Sequence, residues 1–202
     1  MMVRLQIAIT ASLLLFSSAA AAQQSVCVPG NLLARATPLR QQRASKVEKI
    51  TDGAVPSEGD FWNTPHTALL HGGDSFLDYD LGQVTGINAI YLQGDNNDTY
   101  QLHGSLDGRS FTPIWTAPIV NGVGMRRRMI ENLGVEARYL RVGFGQGDGY
   151  FSIGELQVFC QKPAAWPPRS SRRLPSQRRP HRRYRRRGGS TPTISLVCAE
   201  ST

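Results

Sequence analysis

Residues 77–82 have the sequence Leu-Asp-Tyr-Asp-Leu-Gly, in which apolar and acidic side chains alternate before a turn residue. A period of two is typical of a strand that has one face against a core and the other in water. We therefore expect Leu77, Tyr79 and Leu81 to point inward, and Asp78 and Asp80 to face solvent. Residues 61–160 contain no sustained apolar period near 3.6, so the stretch belongs to a β domain rather than a helical one.

Further stretches with strand character follow along the chain, at residues 86–93, 99–105, 110–115, 138–144 and 152–160. The first is apolar on both faces, as expected of an inner strand. Asp107-Gly108 between the second and third is a strong hairpin signal. In the last stretch we expect Leu156 and Val158 to point inward and Glu155 and Gln157 outward. Several short strands at this spacing predict an all-β fold, a jelly-roll β-sandwich.

The first 22 residues have the three parts of a secretory signal peptide, namely Arg4, an apolar run at 7–16 and small residues at 17–22. The apolar run is shorter than the roughly 20 residues that a membrane span needs. An uncleaved anchor is the alternative. We expect a secreted protein, extracellular or periplasmic, that begins at Gln23, with a lead-in at 23–43 and the sandwich at 44–160.

Cys27 and Cys160 bracket the predicted sandwich. Export permits a disulfide, and the first and last strands of antiparallel sandwiches often lie close together. Closing so long a loop would stabilise the fold by about 4–5 kcal/mol in the chain-entropy model. The alternative is a pair of free thiols.

The formal net charge of +8 is unevenly distributed along the chain. Residues 23–160 carry 11 Lys or Arg and 14 Asp or Glu, whereas residues 161–202 carry 11 basic residues and one acid. The segment 161–202 is rich in Arg and Pro, cannot bury a core and is predicted to be disordered. It is either an arm for polyanions or the product of out-of-frame translation. The mildly acidic sandwich argues against nucleic acid as a partner of the folded domain.

A series of motifs resembles the discoidin family, also called the coagulation factor 5/8 type C domain. These motifs are residues 50–53 followed by Trp62, then residues 77–82, 87–93, 100–108, 137–142 and 151–160. The resemblance covers about residues 44–160. It implies a galactose-binding-like jelly roll whose ligand sits in loops at one end. Known ligands in the family include sugars, cell-surface glycans, anionic phospholipid heads and collagen.

The resemblance also implies a possible structural Ca²⁺. Members similar to carbohydrate-binding module family 32 hold this ion with an Asp of the early Asp-Gly turn and a Glu of the last strand. The matching residues are Asp52 and Glu155. Calcium takes six to eight oxygen ligands, which suits two carboxylates with backbone carbonyls. The alternative is a plain Asp-Gly turn and an exposed strand Glu.

Two loops are candidates for ligand binding. Residues 93–99 place Asp95, Asn96, Asn97 and Asp98 in succession, and such short polar side chains can read hydroxyl groups. The alternative is a turn built from residues that bend easily.

The second loop, residues 145–151, ends in two aromatic residues and offers Gln146, Asp148 and Tyr150. An exposed ring beside polar groups is a suitable platform for a sugar. The alternative is that Tyr150 or Phe151 caps the core. We expect Trp62 and Trp115 to be packing residues.

Motifs of catalysis are missing from the sequence, which has no nucleophile elbow, P-loop or His-Glu-x-x-His. We therefore expect a non-catalytic binding module, secreted, whose partner is a carbohydrate or a cell-surface glycan. One alternative is binding to polyanions or membrane surfaces through the Arg-rich segment. Another is a purely structural adhesion or accessory domain.

Overall fold

The computed structural model describes residues 25–166, which form a sandwich of two antiparallel five-stranded sheets. The predicted signal peptide and most of the Arg-rich segment lie outside the described residues. A short 3₁₀ helix at Val47–Ile50 follows the second strand. The strands are β1 (Arg40–Gln42), β2 (Ala44–Ser45), β3 (Ala68–His71), β4 (Phe76–Ile87), β5 (Ala89–Asp95), β6 (Tyr100–Ser105), β7 (Thr112–Ala117), β8 (Met125–Ile130), β9 (Val135–Phe144) and β10 (Tyr150–Phe159).

The strand order is β1-β4-β9-β6-β7 in one sheet and β2-β3-β10-β5-β8 in the other. Most neighbours in these sheets are distant in sequence, so the chain crosses repeatedly between the two sheets. β5 is an inner strand, and β6 and β7 form the hairpin predicted around Asp107-Gly108. This arrangement confirms the predicted all-β jelly roll.

The core lies between the two sheets. One sheet contributes Leu77, Tyr79, Leu140 and Val142, and the other contributes Ile90, Leu92, Leu156 and Val158. Each of these side chains is almost fully buried, so burial of its apolar surface stabilises the fold by roughly 1.5–3 kcal/mol per residue. The apolar positions of the period-two pattern are therefore inside, as predicted.

The expectation that the opposite faces of β4 and β10 are wet is wrong at three positions. Asp78, Glu155 and Gln157 do lie on the outer faces, yet all three are buried. Asp78 is covered by Arg141 and Arg40, with which it forms ion pairs. Glu155 lies beneath the turn that contains Gly53, whose backbone N–H donates to it. Alternation thus predicted which face each side chain is on, but not what covers that face.

Part of the predicted lead-in is integral to the sandwich. Leu33 is fully buried in the core, and the backbone N–H of Leu32 donates to the carbonyl of Val158. Cys27 and Cys160 form the predicted disulfide, with 5.4 Å between their Cα atoms. Among residues 25–166 there is no helix long and apolar enough to cross a membrane.

Candidate functional site

Five loops gather at one end of the sandwich. Strand pairing brings three strand ends together there. The end of β3 lies beside the start of β10, where His71 pairs with Tyr150. In the same way the end of β5 lies beside the start of β8 (Asp95 with Met125), and the end of β9 lies beside the start of β6 (Phe144 with Tyr100). We call this end the loop pole; its loops are residues 57–66, 72–75, 96–99, 118–124 and 145–149. The Cys27–Cys160 disulfide follows the far end of β10 and lies at the opposite pole.

Hydrogen bonds join the two candidate ligand-binding loops, residues 96–99 and 145–149. The backbone N–H of Thr99 donates to the carbonyl of Gln146 at 2.8 Å, and that of Gly145 donates to the carbonyl of Thr99 at 2.9 Å. The side-chain amide of Asn97 donates to Asp148 Oδ2 at 3.0 Å. The structure therefore brings residues 96–99 and 145–149 together into one surface.

The predicted ligand residues divide into exposed and buried groups. Asn97, Gln146, Asp148 and Tyr150 are exposed, and Asn96 is half-buried. Asp95 and Asp98 are buried. The first group can present polar atoms to a ligand, whereas the two buried carboxyls lie beneath the loops.

Arg128, a buried residue of β8, anchors the loop after β5. Its guanidinium donates to the carbonyls of Gly94 at 2.8 Å and Asp98 at 3.1 Å, and also to that of Asp95. A further hydrogen bond reaches the carbonyl of Pro118 at 2.8 Å, in a second loop of the pole. Arg128 is not recognisable from the sequence, because it belongs to a run of three arginines that suggests a solvated surface.

Burial also shifts the acidity of the two carboxyls beneath the loops. The pKa of Asp98 is raised to about 7, mainly by burial, and the negative charges of Asp148 and Asp95 add to the shift. The backbone N–H of Asp148 and the charge of Arg128 act in the opposite direction. The pKa of Asp95 is raised as well, mainly by burial.

Three aromatic rings lie side by side at the edge of the loop pole. The ring centroids of Trp62 and Tyr150 are 6.0 Å apart, and those of Phe61 and Trp62 are 5.5 Å apart. Phe61 is 64% exposed and Tyr150 is 61% exposed. The structure thus favours the exposed-ring interpretation of Tyr150 and places Phe151 in the core.

Trp62 and Tyr150 line a pocket of about 130 Å³ together with Asn63, His71, Leu69, Leu70 and Phe151. Trp62 is half-buried and forms part of the pocket wall as well as packing. Asn63 and His71 add exposed polar groups, and His71 Nε2 lies 3.2 Å from Ser45 Oγ. Asn63 and His71 were not predicted as site residues, and Trp62 was expected only to pack. An aromatic wall beside hydrogen-bonding side chains can stack against the apolar face of a sugar and read its hydroxyls.

Asp52 and Glu155 lie close together on the outer face of the second sheet. Glu155 accepts hydrogen bonds from the N–H of Gly53 at 3.1 Å and from the side-chain amide of Gln157 at 2.9 Å. Burial raises the pKa of Glu155 to about 7, and the charge of Asp52 contributes to the shift. Lys49 Nζ lies 3.5 Å from Asp52 Oδ2.

These residues supply only part of what calcium requires. Among residues 25–166, no three His, Cys, Asp or Glu side chains are arranged to hold a metal ion. Asp52 and Glu155 fit the anionic part of such a site, since a cation would offset the cost of burying Glu155. The other oxygens would have to come from backbone carbonyls, and a cation would compete with Lys49.

Residues 34–156 match the model of the F5/8 type C domain family. No curated protein sequence matches the chain.

Several solved structures are similar to this chain. The lectin binding domain of Lectinolysin, solved as a mutant in complex with Lewis b, is 13% identical, with a TM-score of 0.52; the match covers 68% of this chain and all of that one. Chitosan-binding module 1 of a chitosanase/glucanase from Paenibacillus sp. IK-5 is 20% identical, with a TM-score of 0.45, over 64% of this chain and 98% of that one. SpGH29 is 16% identical, with a TM-score of 0.48, over 66% of this chain. The match spans only 28% of the length of SpGH29.

Proposed function

This chain belongs to the F5/8 type C domain family, and we propose on that basis that it is a non-catalytic module that binds a glycan at the loop pole. The observation that carries the proposal is the pair of rings of Trp62 and Tyr150, which lines a pocket beside Asn63 and His71. The Lectinolysin domain, which has the same fold, was solved in complex with the glycan Lewis b.

The pocket suits one terminal sugar residue rather than a long chain. Its volume is about 130 Å³, which is below the 300–1,000 Å³ typical of pockets for drug-sized ligands. The rings of Trp62 and Tyr150 offer apolar surface at little cost in conformational entropy. Asn63 and His71 offer donors and acceptors to hydroxyls, and Gln146 and Asp148 lie on the adjoining loop.

A glycan array with the full mature chain tests this function. We expect saturable binding to a small set of glycans, and a loss of about fivefold or more in affinity in Trp62→Ala and Tyr150→Ala, because stacking of a ligand on an aromatic ring contributes about 1 kcal/mol or more to binding. Leu106→Ala is the matched control, since Leu106 is equally exposed in the hairpin away from the loop pole. Absence of glycan binding, or equal losses in all three variants, would contradict the proposal.

We also propose a structural role for calcium at Asp52 and Glu155. The ion would stabilise the domain by neutralising a buried carboxylate, and it would lie away from the loop pole. We expect millimolar CaCl₂ to raise the melting temperature of the wild-type protein relative to EGTA, and Glu155→Gln to remove this rise. An unchanged melting temperature in the wild type would show that Lys49 and the hydrogen bonds of Glu155 suffice without metal.

Export is the third part of the proposal. The predicted signal peptide at residues 1–22 would direct the protein to the periplasm or the extracellular space, where the Cys27–Cys160 disulfide is favoured. N-terminal sequencing of the protein produced in its own host should begin at Gln23. Recovery of the protein only inside the cytoplasm, with residues 1–22 still attached, would contradict export.

A further inference from the structure

Asp98 lies directly under the loop formed by residues 145–149. Its side chain is fully buried, and neither carboxyl oxygen has a hydrogen-bond partner of ordinary geometry among the described residues. Gly147 lies so close that a Cβ at this position would overlap Asp98 Oδ1. The backbone of the loop therefore covers the carboxyl group directly.

The charges around this carboxyl are mostly negative. Asp95, at the end of β5, and Asp148, on the covering loop, both contribute negative charge. Arg128 from β8 is the nearby cation, but its hydrogen bonds go to backbone carbonyls. Tyr100 of β6 is the remaining titratable neighbour, and its hydroxyl already donates to the carbonyl of Ser152 at 2.7 Å. An ionised Asp98 would therefore be buried without a paired cation, with only the backbone N–H of Asp148 and the charge of Arg128 acting in its favour, which is costly.

We propose that Asp98 is a proton-operated latch for the 145–149 loop: the protonated carboxyl lets the loop close, and ionisation opens it. The regulatory consequence rests on the proposed function, because this loop carries Gln146 and Asp148 and leads directly to Tyr150. The N–H of Tyr150 donates to Asp148 Oδ1 at 3.0 Å, so the loop helps to fix Tyr150 beside Trp62. A closed loop thus pre-organises the pocket for its ligand.

The direction of the pH effect follows from linkage. Burial in the closed state raises the pKa of Asp98 to about 7, whereas an open loop would return it to the ordinary value of about 4. The closed state binds the proton more tightly, so protonation favours closure. Closure is strongest below about pH 4 and is lost as the pH rises through about 7. Between about pH 4 and pH 7, each pH unit shifts the equilibrium toward the open loop by up to about tenfold, and above about pH 7 the shift is complete because the carboxyl is ionised in both states.

Hydrogen exchange of individual amides tests the latch without any glycan. The amides of Thr99, Gly145 and Gln146 are donors in the bonds that close the loop. After correction for intrinsic rates, we expect their protection factors to fall by up to about tenfold per unit between about pH 4 and pH 7, and to level off above about pH 7. Amides in the middle of β5 and β10 should keep theirs. Asp98→Asn, which imitates the protonated acid, should remove the pH dependence, whereas Asp74→Asn, at an exposed carboxyl of the same pole, should retain it.

Several results would overturn the latch. Protection that stays constant from about pH 4 to about pH 8 in the wild type would do so, as would an unchanged pH dependence in Asp98→Asn. If that variant fails to fold, a carbon-13 NMR titration of the wild-type carboxyls decides, since a midpoint near 4 for Asp98 contradicts the proposal. With a glycan selected on the array, affinity should fall between about pH 4 and pH 7 in step with protection. Absence of any glycan binding would refute the proposed function and leave the exchange result intact.

Discussion

Asp78 and Asp80 lie two residues apart on β4, and each pairs with an arginine of β9. Asp78 is fully buried and accepts two hydrogen bonds from Arg141, at 2.7 and 2.9 Å, while Arg40 Nη2 lies 2.9 Å from its second oxygen. Asp80 is exposed, and its contacts with Arg138 are 3.1 Å long. The two carboxylates thus lie on the same strand and make the same kind of ion pair, but they differ greatly in their exposure to solvent.

This difference predicts unequal effects of the same substitution. Asp78→Asn removes the buried counter-charge of the Arg141 and Arg40 guanidiniums, which are themselves partly exposed, so we expect the free energy of unfolding to fall by about 1.5–3 kcal/mol. Asp80→Asn is the matched control, and it should change stability little because an exposed pair is screened by water. Urea denaturation of both variants at neutral pH measures the difference. Equal losses would show that the burial of Asp78 does not matter for stability.

At the scale of the elements, the sequence identified the long strands but not the short ones. Period-two alternation and the Asp-Gly turn were sufficient for β4 to β7, β9 and β10, because each has a clear apolar face. β8 was missed because Arg126, Arg127 and Arg128 look like a solvated run, although Arg128 is buried. β1 to β3 have at most four residues each, which is too short for a periodic signal.

The candidate site was predictable only in part, for a physical reason. The loops at 93–99 and 145–151 were recognised because Gly, Asn and Asp favour turns and polar contacts. The pocket of Trp62, His71 and Tyr150 depends on the pairing of β3 with β10, which joins positions about 80 residues apart in the chain. No local pattern encodes that register, so the aromatic pair became visible only in the folded sheet.

The disulfide is a connection between elements whose effect can be measured. It closes a separation of 133 residues and ties the start of the lead-in to the end of β10. We expect the double variant Cys27→Ser/Cys160→Ser to lose about 4–5 kcal/mol of unfolding free energy, because the unfolded chain regains that loop entropy. Urea denaturation without reductant gives this value. If adding reductant leaves wild-type stability unchanged, the bond is not formed or not stabilising.

On the scale of the whole molecule, the two poles of the sandwich carry different features. The disulfide and the contact between Phe159 and Trp166, with ring centroids 5.8 Å apart, lie at one pole. The aromatic pocket and the joined loops lie at the other. Trp166, the last of the described residues, therefore lies at the end opposite to the candidate site.

This polarity predicts separate effects for the Arg-rich segment. A chain truncated after Trp166 should bind array glycans with unchanged affinity, because its loop pole is intact. Binding to heparin, if the full chain has it, should depend steeply on salt and disappear on truncation, since charge neutralisation drives such binding. Affinity measurements at two salt concentrations separate these outcomes. Loss of glycan binding on truncation would place the site outside the sandwich.

The most direct test of the central claim is to map the bound glycan by NMR. A glycan selected on the array would be titrated into the isotope-labelled mature protein, and the shifted amides assigned. We predict that the largest shifts fall on residues 61–63, His71 and residues 146–151, with little change around the Cys27–Cys160 disulfide. Shifts concentrated at the disulfide pole or in residues 167–202, or none at saturating glycan, would contradict binding at the loop pole.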